Sequence, residues 1–312
     1  MRVLVMGAGA LGSAYGAILC RHGHEVTFVA RGAHLQAMRE RGLQLRRPSE
    51  SFTLYPVDAV DRVSEAKGDI DLVLFTVKTY DTATAIEAVK PAIGSQTLVL
   101  SLQNGIDGVD ELGKAFGRER ILAGTTTFNA AVIEPGVVVD NGVPITAAVS
   151  ALVGGVTPAA EAIASTLTQA GIPTTTHADA RLTLWRKFLL FVPHATITSA
   201  CGQPFGPIFS LSEGKALYRR LFTEAVAVAW AEQVILPDDI VETMMNSCAA
   251  IPANALSSMT HDFMNQRRVE LDQATGSVVR RARALGVPTP GFDSLYTVLK
   301  VRALAYGGLP ES

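Results

Sequence analysis

The feature that most constrains this chain is a set of three spaced glycines close to its amino terminus. Gly7-Ala8-Gly9-Ala10-Leu11-Gly12 has the pattern G-x-G-x-x-G. The apolar segment 2–6 before it predicts a buried strand, and the segment 13–21 after it predicts a helix. In such a turn the first glycine permits a tight bend, the second lets a pyrophosphate approach the backbone, and the third lets helix and strand pack closely.

This context favours a dinucleotide-binding turn over the alternative, a structural turn without a ligand. The helix amino terminus would offer free N–H groups and the positive end of its dipole to the phosphates. The residues predicted to contact the cofactor here are Gly7, Ala8, Gly9, Ala10, Leu11 and Gly12.

The residue that follows the second predicted strand, 25–30, indicates which dinucleotide binds. An NAD site usually has Asp or Glu there, about 20 residues beyond the glycines, to hold the ribose 2′-hydroxyl. This chain has Arg31 and no carboxylate. Because a guanidinium suits a 2′-phosphate in charge and geometry, we predict NADP (NADPH). The alternative is that Arg31 merely begins a helix in solvent.

The periodicity of the chain changes once, near residue 178. Before that point short apolar segments alternate with helical patterns, which is typical of βαβ units on a parallel sheet. Beyond it helices are predicted at 181–200, 213–233, 238–249, 258–265, 270–285 and 292–306. The 312 residues suit two domains. We therefore predict an α/β protein with a Rossmann-type dinucleotide-binding domain over 1–178 and an all-helical domain over 179–312 for substrate binding and dimerisation.

Two antiparallel strand pairs are also predicted. Segments 43–46 and 51–57 surround a turn and suggest an antiparallel pair. Segments 132–140 and 143–153 suggest another pair, joined by Asn141-Gly142, a dipeptide favoured in tight hairpins.

Composition excludes several classes of protein. The 27 Lys and Arg against 29 Asp and Glu give a net charge of −2, whereas nucleic-acid-binding surfaces normally show a basic excess. Mean hydropathy is +0.26, but the apolar stretch 182–194 is interrupted by Arg186 and Lys187. A membrane span needs about 20 apolar residues, and the amino terminus lacks the cleavage site of a signal peptide. We expect a protein that binds neither nucleic acid nor membrane.

The cysteines and histidines indicate neither disulfides nor a metal site. Cys20, Cys201 and Cys248 are far apart and form no C-x-x-C motif, which is typical of thiols in a reducing compartment. The six histidines are scattered along the chain. We expect a cytoplasmic protein without a metal ion.

Polar residues follow two of the predicted parallel strands. Lys78 ends one segment, and Asn104 in Gln103-Asn104-Gly105 ends another. Ligands of doubly wound sheets bind at the carboxyl ends of strands, so both are candidates for cofactor contact. The alternatives are a surface lysine and a plain turn.

In the helical half, Lys187 lies among apolar neighbours. Desolvation lowers the pKa of a lysine, which suits a proton donor working near neutrality; the alternative is a lysine that extends its ammonium into solvent. Glu270 lies at the start of a predicted helix, and these residues alone favour a first-turn carboxylate stabilised by the helix dipole.

Taken together, these motifs resemble the ketopantoate reductase (2-dehydropantoate 2-reductase) family over essentially the whole chain. The matching segments are GAGALG at 7–12, TVK at 76–78, QNG at 103–105, GTTT at 124–127, LWRK at 184–187, SSM at 257–259 and ELD at 270–272. The resemblance implies reduction of a 2-oxo acid by NADPH, as in the conversion of ketopantoate to pantoate.

The resemblance also implies roles for individual residues. Lys187 would be the general acid, and Glu270 would orient it or contact the cofactor. Asn104 would bind near both nicotinamide and substrate, Lys78 would lie at the cofactor, and the Ala130 backbone would pass near the nicotinamide. In the substrate site, Ser258 would bind the keto acid.

The chain departs from the family in the substrate half. Asparagines usual one and two helical turns after the lysine fall on or near Phe191 and Ala195. The asparagine before SSM aligns with Ala255, although Asn254 is adjacent and is taken as the substrate-binding candidate. The asparagine after ELD is Thr275. An apolar replacement leaves a polar substrate group unpaired. Two hypotheses therefore stay open: reduction of ketopantoate itself, and a divergent relative whose keto substrate is less polar than ketopantoate or simply different from it.

Two other functions are considered. A β-hydroxyacid dehydrogenase would have an acidic residue after the second strand or a differently placed lysine, and neither is present. A non-catalytic NADP(H)-binding regulatory protein would need the glycine turn and Arg31 but not Lys187 and Glu270. The expected partner is a small keto acid, and the apolar helices would also allow a homodimer.

Overall fold

The computed structural model describes residues 1–140 and 142–309, and its chain divides into two compact units. Unit 1 comprises Met1–Gln103 and Gly108–Thr183, and unit 2 comprises Asn104–Asp107 and Leu184–Ser312. The division after residue 183 lies five residues beyond the predicted one, and it assigns the short segment 104–107 to the helical unit.

Unit 1 is built on an eight-stranded sheet with the strand order β12-β11-β8-β7-β6-β1-β2-β5. The six strands from β5 to β8 are parallel, and β11 is antiparallel to β8. From β5 to β8 this is the doubly wound order, in which β1 lies beside the point where the order reverses. The strands of this sheet are β1 (Arg2–Met6), β2 (Glu25–Val29), β5 (Asp58–Val60), β6 (Leu72–Phe75), β7 (Leu98–Ser101), β8 (Ile121–Thr126), β11 (Ala147–Ala151) and β12 (Thr174–Thr176).

The central strands form the core of this unit. Val3 to Met6 and Leu72 to Phe75 are buried at every position. This explains why β6, and β1 from Val3 onward, are continuously apolar rather than alternating, since a parallel sheet is covered on both faces.

A second, four-stranded sheet has the order β4-β3-β10-β9. Its strands are β3 (Leu43–Arg46), β4 (Ser51–Leu54), β9 (Ala130–Glu134) and β10 (Val137–Asp140). The predicted antiparallel pairing of 43–46 with 51–57 is correct as far as Leu54. The predicted hairpin between 132–140 and 143–153 is wrong: β10 pairs with β9 across a turn at Pro135-Gly136, whereas β11 pairs with β8 in the large sheet. Asn141 lies outside the described residues.

The helices of unit 1 flank the strands, as βαβ units require. They are α1 (Ala10–Arg21), α2 (Gly32–Arg41), α3 (Thr82–Val89), α4 (Gly108–Phe116) and α5 (Pro158–Gln169). Helix α1 begins three residues earlier than predicted, because Gly9 is its N-cap. The last three residues of the glycine motif therefore form the first helical turn.

The remaining helices are those of the helical half of the chain. They are α6 (Ala180–Cys201), α7 (Phe205–Ser210), α8 (Ser212–Ala231), α9 (Ile240–Ser247), α10 (Ser258–Met264), α11 (Thr275–Leu285) and α12 (Pro290–Leu304). The predicted helix 270–285 is wrong in its first five residues, because consecutive turns occupy 271–274 and α11 begins at Thr275. Over the described ranges, no helix has the length and apolarity that crossing a membrane requires.

Candidate functional site

The three glycines of the turn differ in what surrounds them. Gly7 has φ +101°, and a β-carbon there would lie 2.7 Å from the Val77 nitrogen. At Gly12 a β-carbon would lie 2.3 Å from the Gly7 carbonyl oxygen and 2.4 Å from Thr76 Oγ1. Gly9 is different, because nothing lies within 4 Å of the place where its β-carbon would be. Packing within the turn therefore requires glycine at Gly7 and Gly12, whereas the space beside Gly9 is open.

That open space fits a dinucleotide pyrophosphate. Gly9 caps α1 without a side-chain hydrogen bond, and the first N–H groups of a helix have no acceptor within the helix. An anion at Gly9 would meet these donors and the positive end of the helix dipole. The neighbouring strand holds the turn in shape, since Thr76 Oγ1 donates a hydrogen bond to the Gly7 carbonyl oxygen at 2.8 Å.

Arg31 follows β2 at the same edge of the sheet as the glycine turn, because β1 and β2 are parallel neighbours. It is exposed and is the N-cap of α2. Its guanidinium makes no hydrogen bond or ion pair to the residues that the structure describes. The side chain is therefore available for a ligand, and its role in choosing NADP stays a prediction.

His34 is a residue near this turn that sequence reasoning missed. The Gly136 N–H donates to His34 Nδ1 at 3.0 Å, so Nδ1 is the unprotonated nitrogen and Nε2 carries the proton. Nε2 lies 3.3 Å from Ser13 Oγ, which donates to the Ala8 carbonyl oxygen at 3.0 Å. A chain of hydrogen bonds therefore ties Ala8 to the β9–β10 turn. A lone histidine in a helix carries no sequence signal for such a role.

The polar residues after β6 and β7 differ in what they do. Lys78 is partly buried and lies three residues beyond β6. Gln103, by contrast, is buried, and its Nε2 donates to the Val77 carbonyl oxygen at 3.0 Å and to Thr82 Oγ1 at 2.9 Å. Gln103 therefore holds the loop after β6, whereas the amide of Asn104 does not take part in these contacts. Ala130 begins β9, in the smaller sheet.

Lys187 and Asn104 are in direct contact within unit 2. Lys187 Nζ donates a hydrogen bond to Asn104 Oδ1 at 3.1 Å. Burial lowers the pKa of Lys187 from its usual 10.5 to about 8, and the Glu270 carboxylate opposes this lowering. Glu270 itself is buried. An amine of this kind is mostly protonated at neutral pH and still gives up its proton readily, which is what a general acid requires.

The structure corrects the interpretation of Glu270 as a carboxylate in the first turn of a helix. Because α11 begins only at Thr275, Glu270 lies in the preceding loop and not at the helix amino terminus. Its buried position and its effect on Lys187 are tertiary features. Periodicity alone placed the helix start too early and so assigned this residue to the first helical turn.

The two predicted substrate residues, Asn254 and Ser258, are both exposed. Ser258 is the first residue of α10, whereas its neighbour Ser257 is the N-cap and accepts a hydrogen bond from the Thr260 N–H at 3.0 Å. Neither the Asn254 nor the Ser258 side chain hydrogen-bonds to a described residue, so each is available to a ligand. Their roles remain predictions.

The positions where family asparagines are replaced fall in two environments, since Phe191 and Ala255 are partly exposed and the other two are buried. Ala195 is completely buried in α6, Phe191 is partly exposed, and Thr275 is buried. The Thr275 hydroxyl lies 2.8 Å from that of Thr196, which donates to the Val192 carbonyl oxygen. At Ala195 and Thr275 the side chains therefore pack or pair inside the protein.

No group of His, Cys, Asp and Glu within the described residues could hold a metal ion. Cys20, Cys201 and Cys248 are free thiols.

Comparison with known proteins shows the family of the chain. The model of the family described as "Ketopantoate reductase PanE/ApbA" matches residues 3–151, and the model of its C-terminal domain matches residues 179–303. A 2-dehydropantoate 2-reductase of Halobacterium salinarum is 32% identical over 305 residues, covering 96% of this chain and 98% of its own.

Solved structures have the same fold. A PanE/ApbA family ketopantoate reductase from Ralstonia eutropha superposes with a TM-score of 0.90 at 33% identity, over 98% of this chain and all of that one. D-mandelate dehydrogenase with NADH and anilino(oxo)acetate has a TM-score of 0.91 at 24% identity, over 98% of this chain and 99% of its own; at this identity the likeness concerns the fold alone.

Fold and site define a Rossmann-type dinucleotide-binding protein with a helical second domain. The chain belongs to the ketopantoate reductase family, whose members are oxidoreductases acting on a CH–OH group.

Proposed function

We propose that this chain is an NADPH-dependent reductase of a 2-oxo acid, with Lys187 as its general acid. The observation that carries this proposal is the Lys187 amine, which is held by Asn104 at 3.1 Å and has a pKa of about 8. A protein that only bound a dinucleotide would have no use for an amine tuned in this way.

The residues around the glycine turn fit the cofactor. The space at Gly9 and the amino terminus of α1 suit a pyrophosphate, and the exposed Arg31 suits a 2′-phosphate. A bound nicotinamide would supply the hydride that adds to the ketone carbon.

Lys187 would act on the ketone oxygen. As the carbonyl carbon gains the hydride, negative charge develops on the oxygen, and the nearby ammonium stabilises this charge and then donates its proton. Asn104 accepts one N–H of the ammonium and so directs the other two. Glu270 favours the charged form of the amine and so keeps the general acid protonated.

We also propose that the substrate has fewer hydrogen-bonding groups than ketopantoate. The asparagines usual in the family fall on or near Phe191, Ala195, Ala255 and Thr275 here. The Thr275 hydroxyl is already paired with that of Thr196. Strong selectivity for a substrate hydroxyl requires site groups that hydrogen-bond to it, and apolar side chains at these positions supply none.

A matched pair of substrates tests this. Ketopantoate and 3,3-dimethyl-2-oxobutanoate differ by one hydroxyl, and oxidation of NADPH can be followed by its absorbance. We expect kcat/KM for the less polar compound to equal or exceed that for ketopantoate. A preference for ketopantoate of about 10⁴-fold, as in sites that hydrogen-bond a hydroxyl, would leave the reductase proposal intact and contradict the less polar substrate.

Replacing Arg31 tests the choice of cofactor. In Arg31→Ala the affinity for NADPH should fall about 10- to 100-fold, because charge-assisted hydrogen bonds to the 2′-phosphate are lost, while NADH affinity stays constant. Titration calorimetry with both cofactors measures this. Arg41→Ala, an exposed arginine at the other end of α2, is the control. Equal binding of NADH and NADPH by the unaltered protein would contradict the prediction.

The alternatives have less support. No observation favours a β-hydroxyacid dehydrogenase over the family to which the chain belongs. A non-catalytic regulatory role would be favoured if the protein binds NADPH but reduces no 2-oxo acid. A cytoplasmic location rests on the cysteine pattern, and a homodimer on the apolar character of the helices.

A further inference from the structure

Two adjacent arginines of α11 make contacts that the proposed chemistry does not use. Both contact Asp107, which lies three residues after Asn104 in the segment 104–107. The contact joins residues more than 170 positions apart in the chain and stays within unit 2.

Arg281 lies between the segment 104–107 and the helix that carries Lys187. Its Nε donates to Asp107 Oδ1 at 3.2 Å, and its Nη2 contacts the same oxygen. On the other side, Nη1 contacts Glu232, whose Oε2 accepts a hydrogen bond from Trp185 Nε1 at 3.2 Å. Trp185 is buried in α6, two residues before Lys187. One guanidinium therefore joins the neighbourhood of Asn104 to that of Lys187.

Arg280 joins the segment to the loop that contains Glu270. Its Nη2 donates to Asp107 Oδ2 at 3.2 Å, and its Nη1 donates to the Asp272 carbonyl oxygen at 2.6 Å. The segment also approaches this loop closely, since a β-carbon at Gly105 would lie 3.4 Å from the Gln273 carbonyl oxygen. The chain pieces that carry Asn104 and Glu270 are thus tied to the same helix.

Burial makes Arg281 the more important of the two arginines. Its side chain is 22% exposed and that of Asp107 is 24% exposed, against 55% for Arg280. Partly buried, forked contacts from a guanidinium to carboxylates are stronger and more directional than exposed ion pairs. No lysine could bridge both carboxylates with the same geometry.

We propose that Arg281, assisted by Arg280, is a positioning residue that holds the segment 104–107 through Asp107 and so presents the Asn104 amide to the Lys187 ammonium. This proposal rests on the proposed role of Lys187. If Arg281 has this role, the protonation state of the Lys187 amine depends on a guanidinium that does not contact it.

The decisive experiment measures the Lys187 amine without substrate or cofactor. Competitive acetylation of the full chain by limiting acetic anhydride across a pH series, quantified by mass spectrometry of the Lys187 peptide, reports the pKa of the amine. In Arg281→Gln this pKa should fall by roughly one pH unit, because the ammonium loses a hydrogen-bond acceptor. The Lys187 pKa in Arg281→Lys should lie between that of the unaltered protein and that of Arg281→Gln.

The matched control is Arg283→Gln, which removes an exposed ion pair to Asp293 from the same helix and should leave Lys187 unchanged. In an Asn104→Ala background, Arg281→Gln should have no further effect, because both changes remove the same contact. Thermal melting establishes that the variants are folded. If Arg281→Gln does not fold, Asp107→Asn replaces it in the experiment, because it alters the same contact.

An unchanged or raised Lys187 pKa in folded Arg281→Gln would overturn the proposal, as would an equal fall in the Asn104→Ala background. With an active protein, kcat should also fall about 10-fold with little change in KM. If the protein reduces no ketone, the labelling result still decides the positioning role, so the two proposals can fail separately.

Discussion

Replacing Lys187 with alanine is expected to lower kcat for ketone reduction by roughly 100- to 10,000-fold, the usual contribution of a general acid. NADPH affinity should change little, because the glycine turn and Arg31 are on other elements. Stopped-flow or steady-state absorbance measures the first quantity and cofactor titration the second. Arg186→Ala is the control, since it removes an adjacent, exposed cation.

The pH dependence follows from the same residue. The Lys187 ammonium, with its pKa of about 8, is the form that donates a proton. Activity should therefore be lost as pH rises through about 8 and not at the usual lysine value of 10.5. A rate that stays constant well above pH 8, or an Arg186→Ala variant as impaired as Lys187→Ala, would contradict the assignment.

The second large effect is expected at Gly12. In Gly12→Ala the new β-carbon would lie 2.3 Å from the Gly7 carbonyl oxygen and 2.4 Å from Thr76 Oγ1, so the turn or the helix must shift. We expect unit 1 to lose about 1–3 kcal/mol of unfolding free energy, as in other overpacked sites, and Tm to fall by several degrees. Calorimetry measures both.

Gly9→Ala is the matched comparison and should behave in the opposite way. Nothing in the protein lies within 4 Å of the added carbon, so stability should change by only about 0.5 kcal/mol from the altered N-cap. NADPH affinity should nevertheless fall about 10- to 100-fold, because the methyl group occupies the space proposed for the pyrophosphate. If Gly9→Ala bound NADPH normally, the cofactor would have to lie elsewhere.

Much of the fold could be predicted from local patterns. The strand–turn–helix at residues 2–21 follows from apolar runs and spaced glycines, and the change to helices near residue 178 follows from periodicity. The same approach failed at Asn141-Gly142, where a good hairpin dipeptide separates strands of two different sheets. It also failed at Glu270, because the helical pattern begins at residue 270, whereas α11 begins only at Thr275. At Asn141-Gly142 the pairing of β10 with β9 and of β11 with β8 outweighed the local preference.

The candidate site divides in the same way. Lys187, Asn104 and Glu270 were proposed from the sequence and its family resemblance, but no pattern indicated that Lys187 and Asn104 are hydrogen-bonded to each other. His34 carried no signal, because a single histidine in a helix is an ordinary feature. The arginine run that contains Arg281 also occurs in the family, but nothing in it indicated a role for that residue.

What the sequence by itself determined is what neighbouring residues encode: a glycine turn between strand and helix, a cation where a carboxylate is usual, and a lysine in an apolar helix. The tertiary structure alone decided which of these groups meet. Lys187 lies 83 residues from Asn104 in the chain, and Arg281 lies 174 residues from Asp107. Hydrogen bonds over such separations depend on how helices and loops pack, and packing is a property of the whole chain that no short segment specifies.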